Sequence, residues 1–186
     1  MQEFLKDIKT APLHGDSATD LSIILDTNIL NYMLIPEARK QIDSFLENLV
    51  ENGEIAHFKI HKSISIVSIY ECLQGNNQQD YINLFKELKC YDVNIDVQYM
   101  AAQIKNFYRK EGAKKEDLPD LYISATAILT ANGILTANES DYPTSIFKED
   151  MTQHISWKTK EGRTKSIMLY LIRPIFSKTK EIFLKK

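Results

Sequence analysis

Short apolar runs alternate with longer segments of helical periodicity along most of the chain. The segment from Ser22 to Leu25 is short, rich in β-branched residues and not alternating, which is typical of a strand buried on both faces. Pro36 opens a segment with apolar residues at the spacing of one helix face, and Gly53 is the expected helix end. Strands that alternate with helices indicate βαβ crossovers and a mainly parallel sheet.

The middle of the chain continues this alternation. Its β-branched run predicts a strand before Ser65, followed by a helix from about residue 66 to 74 that Gly75 closes. A helix near residues 79 to 88 and a short strand, YDVNI, come next, and Asp96 is the expected cap of a long helix that follows. We therefore expect the βα rhythm to persist to about residue 110.

The segment from residue 117 to 143 predicts three elements in little space. Asp117 and Pro119 mark a helix start, Gly133 marks its end, and residues 134 to 136 form a short buried strand. Ser124, Ala125 and the small residues around them favour close packing of this helix on a sheet.

Beyond Pro143 the rhythm changes. Residues 154 to 174 predict a β-hairpin that turns near Glu161 and Gly162. We expect one domain over residues 1–150, with its core at about 20–145, and a hairpin with a basic tail over residues 151–186 appended to it.

Composition narrows the class of protein. The 186 residues are 44% hydrophobic and 26% charged, which is ordinary for a soluble globular protein. No apolar run approaches the length of a membrane span, and the N-terminus lacks the apolar core of a secretory signal. We therefore expect a cytoplasmic protein without a membrane partner. Cys72 and Cys90 are too few for a disulfide framework and lack metal-ligand spacing, so we expect reduced, buried thiols.

Charge is unevenly distributed along the chain. The net charge is -2, but residues 151–186 carry +7 and residues 1–150 carry -9. Concentrated positive charge attracts phosphates, so we expect RNA-binding residues in the hairpin and a contribution from the lysines of the tail: Lys158, Lys160, Arg163, Lys165, Lys178, Lys180, Lys185 and Lys186. The alternatives are a solvated face or a clamp on an acidic protein partner.

Four acidic residues are predicted at one edge of the sheet. Asp26 ends the first strand, Asp141 follows the last parallel strand, Glu71 lies in a helix directly after a strand, and Asp120 lies in the first turn of its helix. In a parallel α/β sheet, ligands bind outside the carboxyl ends of the strands. All four acids are therefore expected at the edge where such ligands bind.

Each acid also has an ordinary interpretation. Asp26 is typical of a helix N-cap, and Glu71 is typical of a charge on the exposed side of a helix. Asp120 is placed to interact favourably with the dipole of its helix, and Asp141 is typical of a turn residue. Capping does not require Asp120, because Asp117 is better placed for it. Several carboxylates that converge without basic partners repel one another, and a bound divalent cation is the usual compensation.

Three segments together resemble a PIN domain: LDTNIL, SIVSIYECLQG and DLPDLYISATAILTANGILTANESDY. The resemblance covers about residues 20 to 145 and is closest to the VapC-like toxin ribonucleases of toxin-antitoxin pairs. It implies a three-layer α/β/α sandwich around a central parallel sheet. The leader before Leu21 and the hairpin after about residue 150 extend beyond the usual compact toxin, so PIN nuclease is the safer description than toxin.

The resemblance also implies an activity and a set of site residues. It implies a Mg²⁺- or Mn²⁺-dependent endoribonuclease whose catalytic, metal-binding acids map onto Asp26, Glu71, Asp120 and Asp141. Asp26 is expected as the central ligand and Asp141 as an outer or second-metal ligand. The family's supporting polar positions are matched by Thr27, Asn28, Thr136 and Asn138.

The partners implied by the resemblance are RNA as the substrate, an antitoxin protein if the chain is a toxin, and a second copy, since toxin relatives commonly dimerise. Two other classes stay open. One is a non-catalytic PIN-fold module that binds RNA or protein, and the other is an RNA-processing nuclease that is not a toxin. A structure-specific DNA nuclease is weakened by the absence of long insertions that would grip a duplex.

Overall fold

The computed structural model describes residues 20–51, 59–112 and 117–183. Its strands are β1 (Asp20–Leu25), β2 (Lys59–Ser65), β3 (Lys89–Tyr91), β4 (Gly133–Thr136), β5 (Phe147–Lys158) and β6 (Thr164–Pro174). Its helices are α1 (Thr27–Met33), α2 (Pro36–Glu51), α3 (Ile66–Leu73), α4 (Gln78–Phe85), α5 (Ile95–Lys110), α6 (Leu118–Thr130) and α7 (Phe176–Phe183), and a 3₁₀ turn covers Glu139–Asp141.

The strands form a six-stranded sheet in the order β3-β2-β1-β4-β6-β5. β1 is central and pairs in parallel with β2 and β4, so that Ile24 lies between Ser63 and Ile134. β6 runs antiparallel to β4, and β5 runs antiparallel to β6. The mainly parallel α/β sandwich expected from the sequence is confirmed.

Helices cover both faces of the sheet, and the side chains of β1 alternate between the two cores that result. Ile23 and Leu25 pack on one face with α1 and α2, where Phe45 is fully buried. Ile24 packs on the other face with α5 and α6, where Ala125 belongs to the same core. The continuous apolar run of β1 is therefore explained by burial on both sides, and the small residues of α6 lie on the sheet as expected.

Several boundaries differ from the sequence prediction: α4 ends at Phe85 rather than near residue 88, and β3 covers Lys89–Tyr91 rather than residues 91 to 95. The cap of α5 is Asn94, whose side chain accepts a hydrogen bond from the backbone N–H of Val97 at 3.0 Å, because β3 ends at Tyr91 and the helix begins earlier than Asp96 indicated. α6 ends at Thr130, and its C-cap residue, Ala131, adopts a left-handed conformation with φ of 59°. The predicted end of α2 at residue 53 lies outside the described residues.

The sequence indicated that Gly133 ends a helix, but this residue belongs to β4. Its conformation is not the reason for glycine at this position, since its φ is not positive. A Cβ atom there would lie 3.1 Å from the Leu171 side chain on the neighbouring strand. The glycine therefore permits close packing of β6 against β4.

The hairpin turns where the sequence indicated. The backbone N–H of Thr159 donates to the Arg163 carbonyl at 2.8 Å, and Gly162 takes the positive φ of 76° that the turn requires. The strands start earlier than expected: β5 begins at Phe147, so residue 150 lies within this strand. Through the pairing of β6 with β4, the hairpin completes the sheet.

The hairpin projects beyond the carboxyl edge of the parallel strands. Tyr170 pairs with Thr136, the last residue of β4, and the strand starts six residues earlier at Thr164. At about 3.3 Å per residue, these six residues span roughly 20 Å. Trp157 anchors the projection, because its ring centroid lies 5.5 Å from that of Tyr32 on α1.

Both cysteines are free and buried, as expected. Burial raises the pKa of each thiol to about 12, so both are protonated at neutral pH. Within the described ranges, no helix combines the length and the apolar character that crossing a membrane requires.

Candidate metal centre

Asp26 lies at the centre of the carboxyl edge, where β1 ends. Its backbone N–H donates to the Leu135 carbonyl at 3.0 Å, which continues the β1–β4 pairing for one more residue. The side chain accepts from the Thr27 backbone N–H at 2.6 Å, so Asp26 is the N-cap of α1. It also accepts from Asn28 Nδ2 and Thr136 Oγ1, each at 2.7 Å. The residue thus caps a helix and presents a buried carboxylate that three neutral donors hold in place.

Glu71 is brought to Asp26 through Thr27. Thr27 Oγ1 donates to Glu71 Oε2 at 2.6 Å, which ties α3 to the first residue of α1. Glu71 is half-buried, so it does not lie on the fully exposed side of its helix. Two acids separated by 45 positions in the sequence are therefore joined through one threonine.

Asp141 is connected to Asp26 from the other side. The backbone N–H of Asn138 donates to Thr136 Oγ1 at 2.9 Å, and Asn138 Nδ2 donates to Asp141 Oδ2 at 2.7 Å. Asn28 strengthens this connection, because its Oδ1 accepts from the backbone N–H of Ala137 at 2.9 Å. A continuous hydrogen-bond chain therefore runs through Glu71, Thr27, Asp26, Thr136, Asn138 and Asp141.

Asp120 joins the other acids electrostatically. Burial, and then the negative charges of Asp141, Asp26, Asp117 and Glu71, raise its pKa to about 7. Asp117 is the N-cap residue of α6, as the sequence indicated, and it is exposed. We refer to Asp26, Glu71, Asp120 and Asp141 as the acid cluster.

The pKa of Asp26 is also raised, chiefly by burial and to a smaller extent by the charge of Asp141. Hydrogen bonds from Thr136 and Thr27 act in the opposite direction. Every charged group that perturbs Asp26 or Asp120 is itself a carboxylate. Like charge therefore accumulates at Asp26 and Asp120, and a cation at this edge would stabilise it.

The donor chemistry fits Mg²⁺ or Mn²⁺, because carboxylate oxygens are the ligands that such hard cations prefer. The geometry is open. In the part of the chain that the structure describes, no three or more His, Cys, Asp and Glu side chains converge closely enough to form a ready-made cation site. The four carboxylates thus lie along one edge of the sheet without forming such a ready-made site.

Tyr142 is a member of this site that the sequence interpretation missed. It is 3% exposed, and the charges of Asp26, Asp120 and Asp141 add to burial in raising the pKa of its hydroxyl well above the usual value. Its position directly after Asp141 was the available signal. From the sequence alone, a tyrosine at this position is predicted to be an ordinary core residue. Only the tertiary structure shows which groups surround its hydroxyl.

The predicted RNA-binding residues lie apart from the acid cluster. They occupy the tip of the hairpin, are exposed, and comprise Lys158, Lys160, Arg163 and Lys165. We call residues 158–165 the basic tip. Because the hairpin projects past the carboxyl edge, the basic tip and the acid cluster lie at the same end of the sheet.

The fold is similar to solved structures of toxin-antitoxin proteins. The structure of VapBC2 from Rickettsia felis, bound to a DNA fragment from its promoter, aligns with a TM-score of 0.52 and 18% sequence identity over 66% of this chain and 91% of that chain. A toxin-antitoxin complex from Klebsiella pneumoniae aligns with a TM-score of 0.50 and 20% identity over the same shares.

Sequence comparisons were negative. A scan against protein-family models found no match. A search of curated proteins found no similar sequence. The structural matches share only 18% and 20% sequence identity with this chain, so their similarity shows the fold alone. The resemblance of this chain to VapC-type PIN domains is thereby confirmed at the level of the fold.

Proposed function

We propose that this protein is a divalent-cation-dependent endoribonuclease that hydrolyses RNA phosphodiester bonds. The observation that carries this proposal is the hydrogen-bond chain that joins Glu71, Asp26 and Asp141 at the carboxyl edge, with Asp120 electrostatically coupled to all three. A cluster that accumulates like charge lowers the stability of the folded protein, so a function explains its presence better than folding does.

Asp26, Glu71, Asp120 and Asp141 are the residues that would hold the cation. When bound, Mg²⁺ or Mn²⁺ polarises a phosphodiester and lowers the pKa of a water molecule, which is the chemistry that hydrolysis needs. The carboxylates of the chain neutralise the cation's charge.

The remaining residues orient these carboxylates. Thr27, Asn28 and Thr136 use neutral donors, so they fix the rotamer of Asp26 without neutralising its charge. Asn138 does the same for Asp141.

We propose that the basic tip binds the RNA backbone. An edge with four carboxylates repels a phosphate chain, so attraction must come from elsewhere on the surface. Lys158, Lys160, Arg163 and Lys165 outweigh the single acid of the tip, Glu161, and are presented at the same end of the sheet as the acids. RNA that spans both regions would contact the tip through its phosphates while one phosphodiester lies at the acid cluster.

We also propose that the protein is the toxin of a toxin-antitoxin pair, with an antitoxin protein as partner and a second copy as a further partner. The support is that the structures of similar fold are toxin-antitoxin proteins. An RNA-processing nuclease outside such a pair is the alternative. A small open reading frame next to the gene, whose product co-purifies with this chain and blocks cleavage, supports the pair; a nuclease encoded alone contradicts it.

The activity is tested by incubating single-stranded RNAs with the protein and Mg²⁺, Mn²⁺ or EDTA. We expect internal cleavage with either cation and none with EDTA or with Asp26→Asn. RNA that is bound but left intact under all cation conditions would contradict the nuclease and support a non-catalytic binding module.

A further inference from the structure

A cavity of about 330 Å³ lies against the turn that carries Asp141. It is formed by residues on both sides of Asp141 and by residues of the hairpin, among them Ser140, Tyr142, Thr144, Phe147, Glu149 and Ile172. Small-molecule sites in proteins begin at about 300 Å³, so this space is large enough for one small group such as a nucleobase. The cavity adjoins the acid cluster at its Asp141 end.

The floor of the cavity is apolar and fixed. The rings of Tyr142 and Phe147 pack edge to face, with centroids 5.7 Å apart and planes at 80°. Together with Ile172, both belong to the core between the sheet and α6. Because that core sets their positions, the floor exists before any ligand binds. Apolar surface of this kind favours contact with a flat base over contact with a phosphate.

Glu149 is the charged side chain that faces this floor from the outer strand of the hairpin. It pairs with Ile172 across the two strands, and cross-strand partners lie on the same face of a sheet. The bulge that follows places Asp150 against both neighbouring cations, Arg173 and Lys148, the latter at 3.1 Å. Among residues 20–51, 59–112 and 117–183, the Glu149 carboxylate has no ion pair and no hydrogen bond.

A carboxylate beside an apolar floor restricts the chemistry of the ligand. It repels phosphates and accepts hydrogen bonds from N–H groups. Guanine carries two adjacent N–H donors, at N1 and N2, which match the two oxygens of one carboxylate. Adenine and cytosine place one amine beside a ring acceptor, and uracil has one N–H between two carbonyls. Guanine is therefore the base that is most complementary to Glu149.

The cavity and part of the basic tip share one face of the hairpin. Alternate residues of β6 lie on the same face from residue 172 to residue 164, and Thr164 pairs with Lys158. At about 3.3 Å per residue, this stretch spans roughly 26 Å. A single RNA strand that contacts the basic tip can therefore follow one face of the hairpin to the cavity.

We propose that this cavity is a base-binding subsite, and that Glu149 makes the protein prefer guanine next to the phosphodiester that it cuts. The inference rests on the proposed function, because a base reaches the cavity when the neighbouring phosphodiester lies at the acid cluster. Glu149 does not touch the reacting atoms in this arrangement. Its role is to determine specificity.

The test measures Mn²⁺-supported cleavage of single-stranded RNAs that differ at one position within a uracil background. That base is guanine, adenine or hypoxanthine, which lacks the N2 amine of guanine. The wild type should cut next to guanine with a kcat/KM about 5- to 150-fold higher than next to adenine, the range expected of one bidentate base contact. Hypoxanthine should give an intermediate value, since it keeps one of the two donors.

Glu149→Gln is the informative variant. A glutamine amide both donates and accepts, which matches the edge of adenine and not that of guanine, so the variant should lose the guanine preference and cut better next to adenine. Its melting temperature should equal that of the wild type, because Glu149 is exposed. Glu47→Gln, at an exposed position of α2 on the other face of the sheet, is the matched control and should keep the guanine preference.

Equal cleavage next to guanine and adenine by the wild type would overturn the inference and leave the proposed function intact. Glu149 would then be complementary to a cation of a partner protein. A guanine preference that persists in Glu149→Gln would overturn it as well. Binding of the same RNAs in EDTA gives a readout that needs no cleavage. A wild type that cuts none of them contradicts the proposed function, whereas tighter binding of the guanine RNA that Glu149→Gln abolishes would still support the subsite.

Discussion

The acid cluster and the basic tip carry opposite charge at the same end of the sheet, and they are built in opposite ways. Acids of the cluster come from positions as far apart as 26 and 141, and they are held by a hydrogen-bond chain in which Asp26 is 3% exposed. The charges of the basic tip come from eight consecutive positions and are exposed on a turn.

This contrast separates the effects expected of substitutions in the two regions. In the acid cluster, charge is packed against like charge, so removing an acid relieves repulsion while it abolishes function. In the basic tip, charges are screened by solvent and contribute little to folding, so removing them changes attraction for RNA and leaves stability unchanged. We therefore expect substitutions in the acid cluster to change both stability and function, and substitutions in the basic tip to change RNA binding alone.

The largest expected effect is the loss of cleavage on substitution within the acid cluster. Glu71→Gln should lower RNA cleavage by more than about 100-fold, since changing residues that merely orient metal ligands already costs about 10- to 100-fold. The EDTA-treated variant should be as stable as the wild type or more so, and it should lose the rise in melting temperature that Mn²⁺ produces. Glu139→Gln, an exposed glutamate in the 3₁₀ turn, is the control and should behave as the wild type. Full cleavage by Glu71→Gln would contradict the assignment.

The next effect concerns the hydrogen-bond chain. Thr136 is fully buried, and Thr136→Val removes the hydroxyl that donates to Asp26 and accepts from Asn138. We expect about 10- to 100-fold slower cleavage, and a loss of about 1 to 3 kcal/mol in the free energy of unfolding. Thr136→Ser keeps the hydroxyl and should retain most of the activity. Equal activity of the two variants, measured with the same RNA, would show that the hydrogen-bond chain does not orient Asp26.

A third prediction addresses the basic tip. Replacing Lys158, Lys160, Arg163 and Lys165 with Gln should flatten the slope of log K for RNA against log salt by roughly two to three units, at about 0.7 per phosphate contact. The melting temperature should not change. Lys86→Gln removes an exposed positive charge at the end of α4 and should leave the slope as it is. An unchanged slope in the fourfold variant would point to a protein interface at the tip.

The smallest effect is a pH-dependent change in stability. The pKa of Asp120 in the folded protein is about 7, above its ordinary value of 3.8, so its contribution to stability is present below about pH 4 and is lost as the pH rises through 7. In EDTA at pH 8, Asp120→Asn should therefore exceed the wild type by about 1 to 2 kcal/mol in the free energy of unfolding, a figure reduced because the side chain is partly exposed. The difference should vanish at pH 4. Asp117→Asn should show a smaller difference at pH 8; equal gains in the two variants at that pH would contradict the special burial of Asp120.

Local patterns in the sequence were sufficient for much of the fold. The continuous apolar run of β1, the turn at Gly162 and the start of α6 at Asp117 each follow from residues within a few positions of one another, and all three are confirmed. The cap of α5 was wrong by two positions because Asn94 and Asp96 both suit a cap, and the end of β3 decides between them. Gly133 was misread because its small size serves Leu171, a residue 38 positions away.

The sequence by itself determined which residue types the candidate site contains and at which edge of the sheet they lie, because strand order and chain direction place the carboxyl ends together. Only the tertiary structure decided how they are connected. The bonds from Thr27 to Glu71, from Thr136 to Asp26 and from Asn138 to Asp141 depend on rotamers and on distances between elements, which a linear pattern does not contain. The same holds for Tyr142, since burial and neighbouring charge are properties of the packed core, and for the basic tip, whose position at the acidic end of the sheet follows from the antiparallel pairing of β6 with β4.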